Sequence, residues 1–328
     1  MNAPNPTGLP EVADRLRDAI GDGVTLDVPA RELTTYRLGG PVAVLVRARE
    51  EAHLLALAEA LAGTDVPVLA IGRGSNLVVA DEGFPGVGVL LEGSFETLDL
   101  PPEPAGASPG DGVDVAAGGS VPLPVLARRC AAAGITGLEF YVGIPGSVGG
   151  AVRMNAGGHG QSTHEVLGGA RVVDLVAGTV SDRSVPALGL GYRTSALRAH
   201  EIVVAATFRG ATDDPGACDA RLGEIVRWRR DNQPGGSNAG SVFTNPPDDS
   251  AGRLIDACGL KGLRVGGVEV SHKHANFFQA DDGATAADVR ALVETVRRVV
   301  HERTGVELRP ELVFVGDGPG AGDGRNEP

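Results

Sequence analysis

The sequence predicts a soluble α+β protein, with one ligand-binding domain before about residue 210 and another after it. Three observations carry this. Apolar runs of strand length alternate with helical periodicity, beginning with a βαβ unit at 42–71. The stretch GIPGSVGGAVRMNAGGHG (143–160) holds seven glycines among its eighteen residues, yet keeps Ile144, Val148, Val152 and Met154. From about 217 a second region carries two helical patterns and a short apolar ending.

The elements read in order as follows. VAVLVRAR (42–49) is a strand, EEAHLLALAEALAG (50–63) a helix and VPVLAI (66–71) a strand. The turn GRGSN leads into two short strands, LVVA and GVGVLL. A strand at GVDVAAG (112–118), a helix near 121–133 and strands near 169–175 and 201–208 continue the pattern. CDARLGEIVRWRR (218–230) is a helix that opens the second region. A helix over 285–302 places Val289, Leu292, Val293, Val296 and Val300 on one face. VELRPELVFVG (306–316) is the last strand. Residues 1–10 and the tail from Gly316 are rich in Gly, Pro and Asn, which predicts disorder. PPEPAGASPGDG (101–112) reads as a surface loop.

A chain of 328 residues with a net charge of −13 offers no broad basic face, so nucleic acid is excluded as a general partner. Only Lys261 and Lys273 are lysines, so an anionic small substrate would need a local group of arginines. Cys130, Cys218 and Cys258 lie far apart, without metal-ligand or disulfide-framework spacing. No apolar leader or membrane-length run is present. A reduced, cytoplasmic protein without membrane insertion or metal is the expectation.

Several stretches could carry chemistry. The glycine-rich 143–160 segment is too apolar for a linker, leaving a ligand cradle or a packed turn. In IGRGSNLVV (71–79), Gly72 and Gly74 follow a strand and suit an anion nest or a tight β-turn-β connection. GYRTS (191–195) sets Tyr192 beside Arg193, a pairing also common on surfaces. NAGSVFTNP (238–246) offers Ser241 without a nearby base, so a hydrolase triad is unsupported and a turn or cap is the alternative. His272 and His274 stand two apart without metal-ligand company. Glu311 follows Pro310 in an apolar strand. It is either an edge residue facing water or a buried acid with a raised pKa.

Taken in order, TTYRLGG, IGRGSNL, GLEFYVGIPGSVGGAVRMNAGG, GYRTS, NAGSVFTNP, AGRLIDACGLKG, SHKHANF and LRPELVF resemble the UDP-N-acetylenolpyruvoylglucosamine reductase family across roughly 34–314. The resemblance implies a vanillyl-alcohol-oxidase-type FAD-binding fold of two α/β subdomains, plus a C-terminal α+β substrate-binding domain. It implies an N-terminal segment at 1–30, an FAD-binding domain at 31–210, a substrate-binding domain at 211–305 and a strand at 306–316 carrying Glu311. The tail 317–328 is left disordered.

Its activity would be reduction of the enolpyruvyl UDP-sugar to UDP-N-acetylmuramate in peptidoglycan precursor synthesis, with NADPH reducing FAD and the flavin then reducing substrate. Carried over by position, Arg193, Ser241 and Glu311 are the catalytic residues. Ser241 would give the proton, and Arg193 with Glu311 would stabilise an enediolate. Tyr36, Gly72, Arg73, Gly74, Ser75, Asn76, Leu77, Gly143, Gly146, Ser147, Gly149, Gly150 and Asn155 would contact noncovalent FAD. No histidine lies in 72–76 to anchor it covalently. Tyr192, Arg193, Asn245, Lys261 and His274 would contact substrate. The chain departs from the family with Asn232 and Thr244 where lysines are usual, and Arg229, Arg230 or Lys261 are candidates to replace that charge. The stretch 209–217 is too short for the tyrosine-bearing lid of one subtype, and a monomer is the expected state.

Overall fold

The structure, a computed structural model, describes residue 6 and residues 8–101 and 108–316. The disorder expected at the extreme ends, and residues 102–107 of the 101–112 loop, therefore lie outside the described residues. Leu9 and Pro10, expected with the disordered start, instead open a helix, Leu9–Ile20, with proline in its first turn where a missing N–H costs nothing.

The first unit is a four-stranded sheet in the order Val24–Pro29, Pro41–Ala48, Phe84–Leu91, Val68–Ile71. Its first pair is antiparallel and the other two are parallel, as the βαβ crossover through Glu51–Leu61 requires. Since Val24–Pro29 is the edge of this sheet, the segment before residue 31 belongs to the domain rather than preceding it. Leu16 of the first helix and Leu54 and Leu57 of the second are fully buried over it.

The second unit is an antiparallel sheet in the order Thr179–Ser184, Leu167–Asp174, Glu201–Thr212, Gly112–Gly118, Leu98–Asp99, with Ile135–Thr136 pairing the end of the long strand. The helix Leu123–Ala132 covers it. The helix Pro215–Asn232 was expected to open the last domain, but Cys218 and Leu222 bury into this second core. Arg221 fastens it there, bonding Glu139 at 2.9 Å and Asp213 at 2.6 Å. The last domain accordingly begins after Asn232.

That domain packs the helices Ala251–Ala257 and Ala286–Thr304 against a three-stranded sheet of Arg264–Val265, Val268–Val270 and Phe278–Ala280. The long helix starts in a reciprocal capping box between Thr285 and Asp288 and stops at Gly305, whose φ is 74°. Its N-terminal amides also meet the first unit, where Asp81 accepts from Ala286 at 2.8 Å and Ala287 at 3.0 Å.

The chain's end then returns to the first unit. Val313–Val315 pairs in parallel with Leu77–Val79, directly after the GRGSN turn. The expected strand at 306–316 is thus only three residues of ladder. Pro310 has no N–H to give and stands outside that ladder, in an isolated antiparallel bridge with Phe243.

Three short extended segments, around Ser241–Phe243, Asn276–Phe277 and Arg309–Glu311, lie side by side. Asn276, 3% exposed, accepts from the Phe243 N–H at 2.9 Å and donates to the Phe243 carbonyl at 2.8 Å. Val242 completes the chain of contacts, donating to the Asn276 carbonyl and accepting from the Glu311 N–H, both at 2.8 Å. An Asn276→Leu variant keeps the volume but orphans two buried backbone groups. The expected loss is about 1–3 kcal/mol for each, read from the urea unfolding of the last domain.

Candidate active site

The three units meet at a cleft of about 1000 Å³, at the upper end of the range for small-molecule sites. Gly72–Leu77 from the first unit, Gly143, Ser147 and Gly150 from the second, and Ser241 and Glu311 from the third all line it. Arg193 joins them from the turn after the second unit's Thr179–Ser184 strand.

The GRGSN turn owes its shape to glycine. Gly74 sits at φ 60°, and a Cβ there would stand 2.0 Å from the Leu33 carbonyl. Gly72 has the opposite neighbour, since a Cβ on it would meet the Ser147 hydroxyl at 2.7 Å. The two glycine-rich loops therefore face each other at this point, with no room for side chains between them.

Arg193 is held in the left-handed region, φ 58°, at the corner of a turn closed by Gly191 N–H to Thr194 C=O at 3.0 Å. Its guanidinium donates to the Gly157 carbonyl at 2.8 Å, and its Nε lies 3.2 Å from Glu311 Oε1. Glu311 is 19% exposed, so the edge-residue alternative does not hold. Burial raises its carboxyl pKa, and the nearby Arg193 charge and hydrogen bond offset only part of that rise. The carboxyl thus takes up a proton more readily than one in water.

The sequence-derived positions divide into those in the cleft and those behind it. Gly72, Arg73, Gly74, Ser75, Asn76, Leu77, Gly143, Ser147 and Gly150 line it. Gly146, Gly149, Asn155 and Tyr36 do not. The Gly149 N–H is spent on the Gly119 carbonyl at 2.8 Å, and the Asn155 side chain on Gly191 and His164. Tyr36 is fully buried among Val78, Val242 and Phe243, with burial raising the phenol pKa.

The expected substrate positions, apart from Arg193, also lie off the cleft lining. Tyr192 is 59% exposed beneath the Arg193 guanidinium. Asn245 accepts from the Ala251 N–H at 3.1 Å, and Lys261 pairs with Asp256 at 2.7 Å. His274 is half-buried, with burial and the Lys261 charge lowering its pKa. His272 is exposed beside Glu269, so the two histidines share no site.

Of the possible replacements for the missing lysine, Arg229 lines the cleft, while Arg230 and Lys261 do not. Asn232 turns away to bond the Trp228 carbonyl at 2.7 Å. Arg229 is half-buried, donates to Gln233 at 2.7 Å and has no carboxylate partner among the described residues. Gln233 and Arg153 also line the cleft, and sequence reading did not single them out. The QP dipeptide beside Arg229 was the available signal for Gln233.

Two domain families match the chain. Residues 42–183 match an FAD binding domain, and residues 232–315 match the C-terminal domain of UDP-N-acetylenolpyruvoylglucosamine reductase. A UDP-N-acetylenolpyruvoylglucosamine reductase of Acidiphilium cryptum is 43% identical over 309 residues, 94% of each chain. One of Rubrobacter xylanophilus is 41% identical over 293 residues, 89% of this chain and 95% of that one. The chain belongs to the UDP-N-acetylenolpyruvoylglucosamine reductase family.

The crystal structure of the reductase from Thermus caldophilus has the same architecture. It superposes with a TM-score of 0.75 at 35% identity, covering 89% of this chain and 98% of that one. The family is one of FAD-dependent oxidoreductases, and the residues present suit that cofactor. Two glycine loops leave room for close backbone approach, and Arg73, Arg153, Arg193 and Arg229 set positive charge along the cleft for an anionic diphosphate. No helix among the described residues is long and apolar enough to cross a membrane.

Gly74→Ala tests the cradle. The left-handed backbone alone costs an alanine about 1–2 kcal/mol, and the overlap with Leu33 adds to it. Fluorescence titration of the apoprotein should show FAD affinity weakened by about tenfold or more, with the fold retained by circular dichroism.

Proposed function

We propose that this reductase uses NADPH to reduce the enolpyruvyl group of a UDP-sugar to a lactyl ether, yielding UDP-N-acetylmuramate, with Arg193, Ser241 and Glu311 as the catalytic residues. The observation that carries this reading is the convergence of these three side chains on the cleft that Gly72–Leu77 and the 143–150 loop also line.

Reduction of the vinyl group adds one hydride and one proton across a single C=C bond. FAD, which the glycine loops at 72–75 and 143–150 would hold, supplies the hydride chemistry when bound, with NADPH as the external source. The remaining tasks fall to the chain. Hydride addition at the terminal carbon pushes negative charge into the substrate carboxylate. Arg193 and a protonated Glu311 are placed to bind that charge, a kind of stabilisation commonly worth about 3–4 kcal/mol per donor. The raised Glu311 pKa favours the neutral donor this needs.

The carbon beside the carboxylate must then take a proton, and Ser241 is the candidate donor. A serine hydroxyl is a weak acid, but the acceptor is strongly basic and the segment 241–243 is rigidly bonded on both sides. Arg229, which lacks a carboxylate partner among the described residues, is suited to the substrate diphosphate in place of the usual lysine.

Ser241→Ala should separate the two half-reactions in stopped-flow. Reduction of the flavin by NADPH should run near the wild-type rate. Reoxidation by the enolpyruvyl substrate should fall by about 10²–10⁴-fold. Slow reduction with normal reoxidation would place Ser241 in nicotinamide binding instead.

A further inference from the structure

We infer that Asn76 and Asn155, two residues of the FAD-binding region, are positioning residues that set Glu311 and Arg193 against each other rather than ligands of the cofactor. The inference rests on the proposed pairing of Arg193 and Glu311 in catalysis and adds how that pairing is held.

Asn155 is buried, and its carboxamide is engaged at both ends. Nδ2 donates to the Gly191 carbonyl at 2.7 Å, and Oδ1 accepts from the His164 N–H at 2.9 Å. Gly191 is the first residue of the turn that carries Arg193. That turn puts a non-glycine residue at φ 58°, a conformation with a real backbone cost that the surroundings must impose. Asn155 holds one end of it. The following residues grip the other, because the Arg193 guanidinium donates to the Gly157 carbonyl at 2.8 Å. The segment 155–157 therefore fixes both the backbone and the side chain of Arg193.

Asn76 does the same for Glu311. Its Nδ2 donates to the Glu311 carbonyl at 2.9 Å, and its own carbonyl accepts from the Val313 N–H at 2.9 Å. Residues 311 and 313 are thus bonded to a single residue at the end of the GRGSN turn. Pro310 contributes no donor, and among the described residues the other backbone tie of Glu311 is its N–H to Val242 at 2.8 Å. Asn76 borders the cleft, but this bond aims its carboxamide at the Glu311 backbone. The 3.2 Å contact between Arg193 and Glu311 is consequently anchored, at each end, by an asparagine beside a cofactor-cradling loop.

The test uses the FAD-loaded protein with Asn76→Ala and Asn155→Ala, alone and combined with Glu311→Gln and Arg193→Lys. Each single asparagine variant should slow flavin reoxidation by substrate about 10- to 100-fold, with FAD affinity close to wild type. The effects should be non-additive in matched pairs, Asn76 with Glu311 and Asn155 with Arg193. Amide hydrogen exchange without substrate gives an independent reading. Exchange should quicken at 311–315 in Asn76→Ala and at 191–194 in Asn155→Ala. Serine replaces alanine where an alanine variant does not purify folded. Weakened FAD binding with normal reoxidation at saturating FAD would make these residues cofactor ligands and overturn the inference. So would additive losses, or unchanged exchange in both segments. Wild-type protein that is not reoxidised by the enolpyruvyl substrate would sink the functional reading alone, and hydrogen exchange would still decide the positioning.

Discussion

The contact between Arg193 and Glu311 is the constraint around which the rest of the structure is arranged. The two residues come from different units, 118 positions apart in the chain, and meet at 3.2 Å. Each sits on irregular backbone that would not hold its shape alone, a left-handed turn for one and the segment after a proline for the other. The long-range features of the fold can be read as means to this meeting. The final strand crosses back to pair with Leu77–Val79, and Asp81 binds the start of the last long helix. The Ser241–Phe243 segment is clamped between Asn276 and Glu311. A buried ion pair contributes little net stability once desolvation is counted, so the arrangement is better explained by the chemistry it permits than by folding.

The electrostatics follow from this placement. A carboxyl next to an arginine ordinarily loses its proton more easily, yet burial outweighs the arginine here and the Glu311 pKa rises. Arg193 is also shared with the Gly157 carbonyl, so its donors are not all directed at the carboxyl. The result is a site with one fixed cation and one group able to remain neutral. Such a pair can accept a developing negative charge without first repelling it.

Much of the architecture was legible in the sequence because it rests on local patterns. The βαβ unit at 42–71, the helix with Val289, Leu292, Val293, Val296 and Val300, and the glycine loops were readable from periodicity and glycine spacing. What was not legible depends on partners far along the chain. Pattern alone shows that Pro215–Asn232 is a helix but not which core receives Cys218 and Leu222. Glu311 reads equally well as an edge residue until Arg193 is known to face it. Asn276 looks like an ordinary loop residue, and its bonds to Phe243 have no local signature. Asn76 and Asn155 lie within recognisable glycine-rich motifs, which invited assignment to the cofactor when their carboxamides serve the protein backbone.

The central claim is that Glu311 acts as a neutral donor held against Arg193. The most direct measurement is the rate of flavin reoxidation by the enolpyruvyl substrate in Glu311→Gln and Glu311→Asp, each pre-reduced to the same extent. Glutamine keeps the reach and a neutral donor, whereas aspartate keeps the acid but falls short of the position. The account predicts that Glu311→Gln retains clearly more activity than Glu311→Asp. Equal loss in the two variants, or a faster aspartate variant, would contradict it.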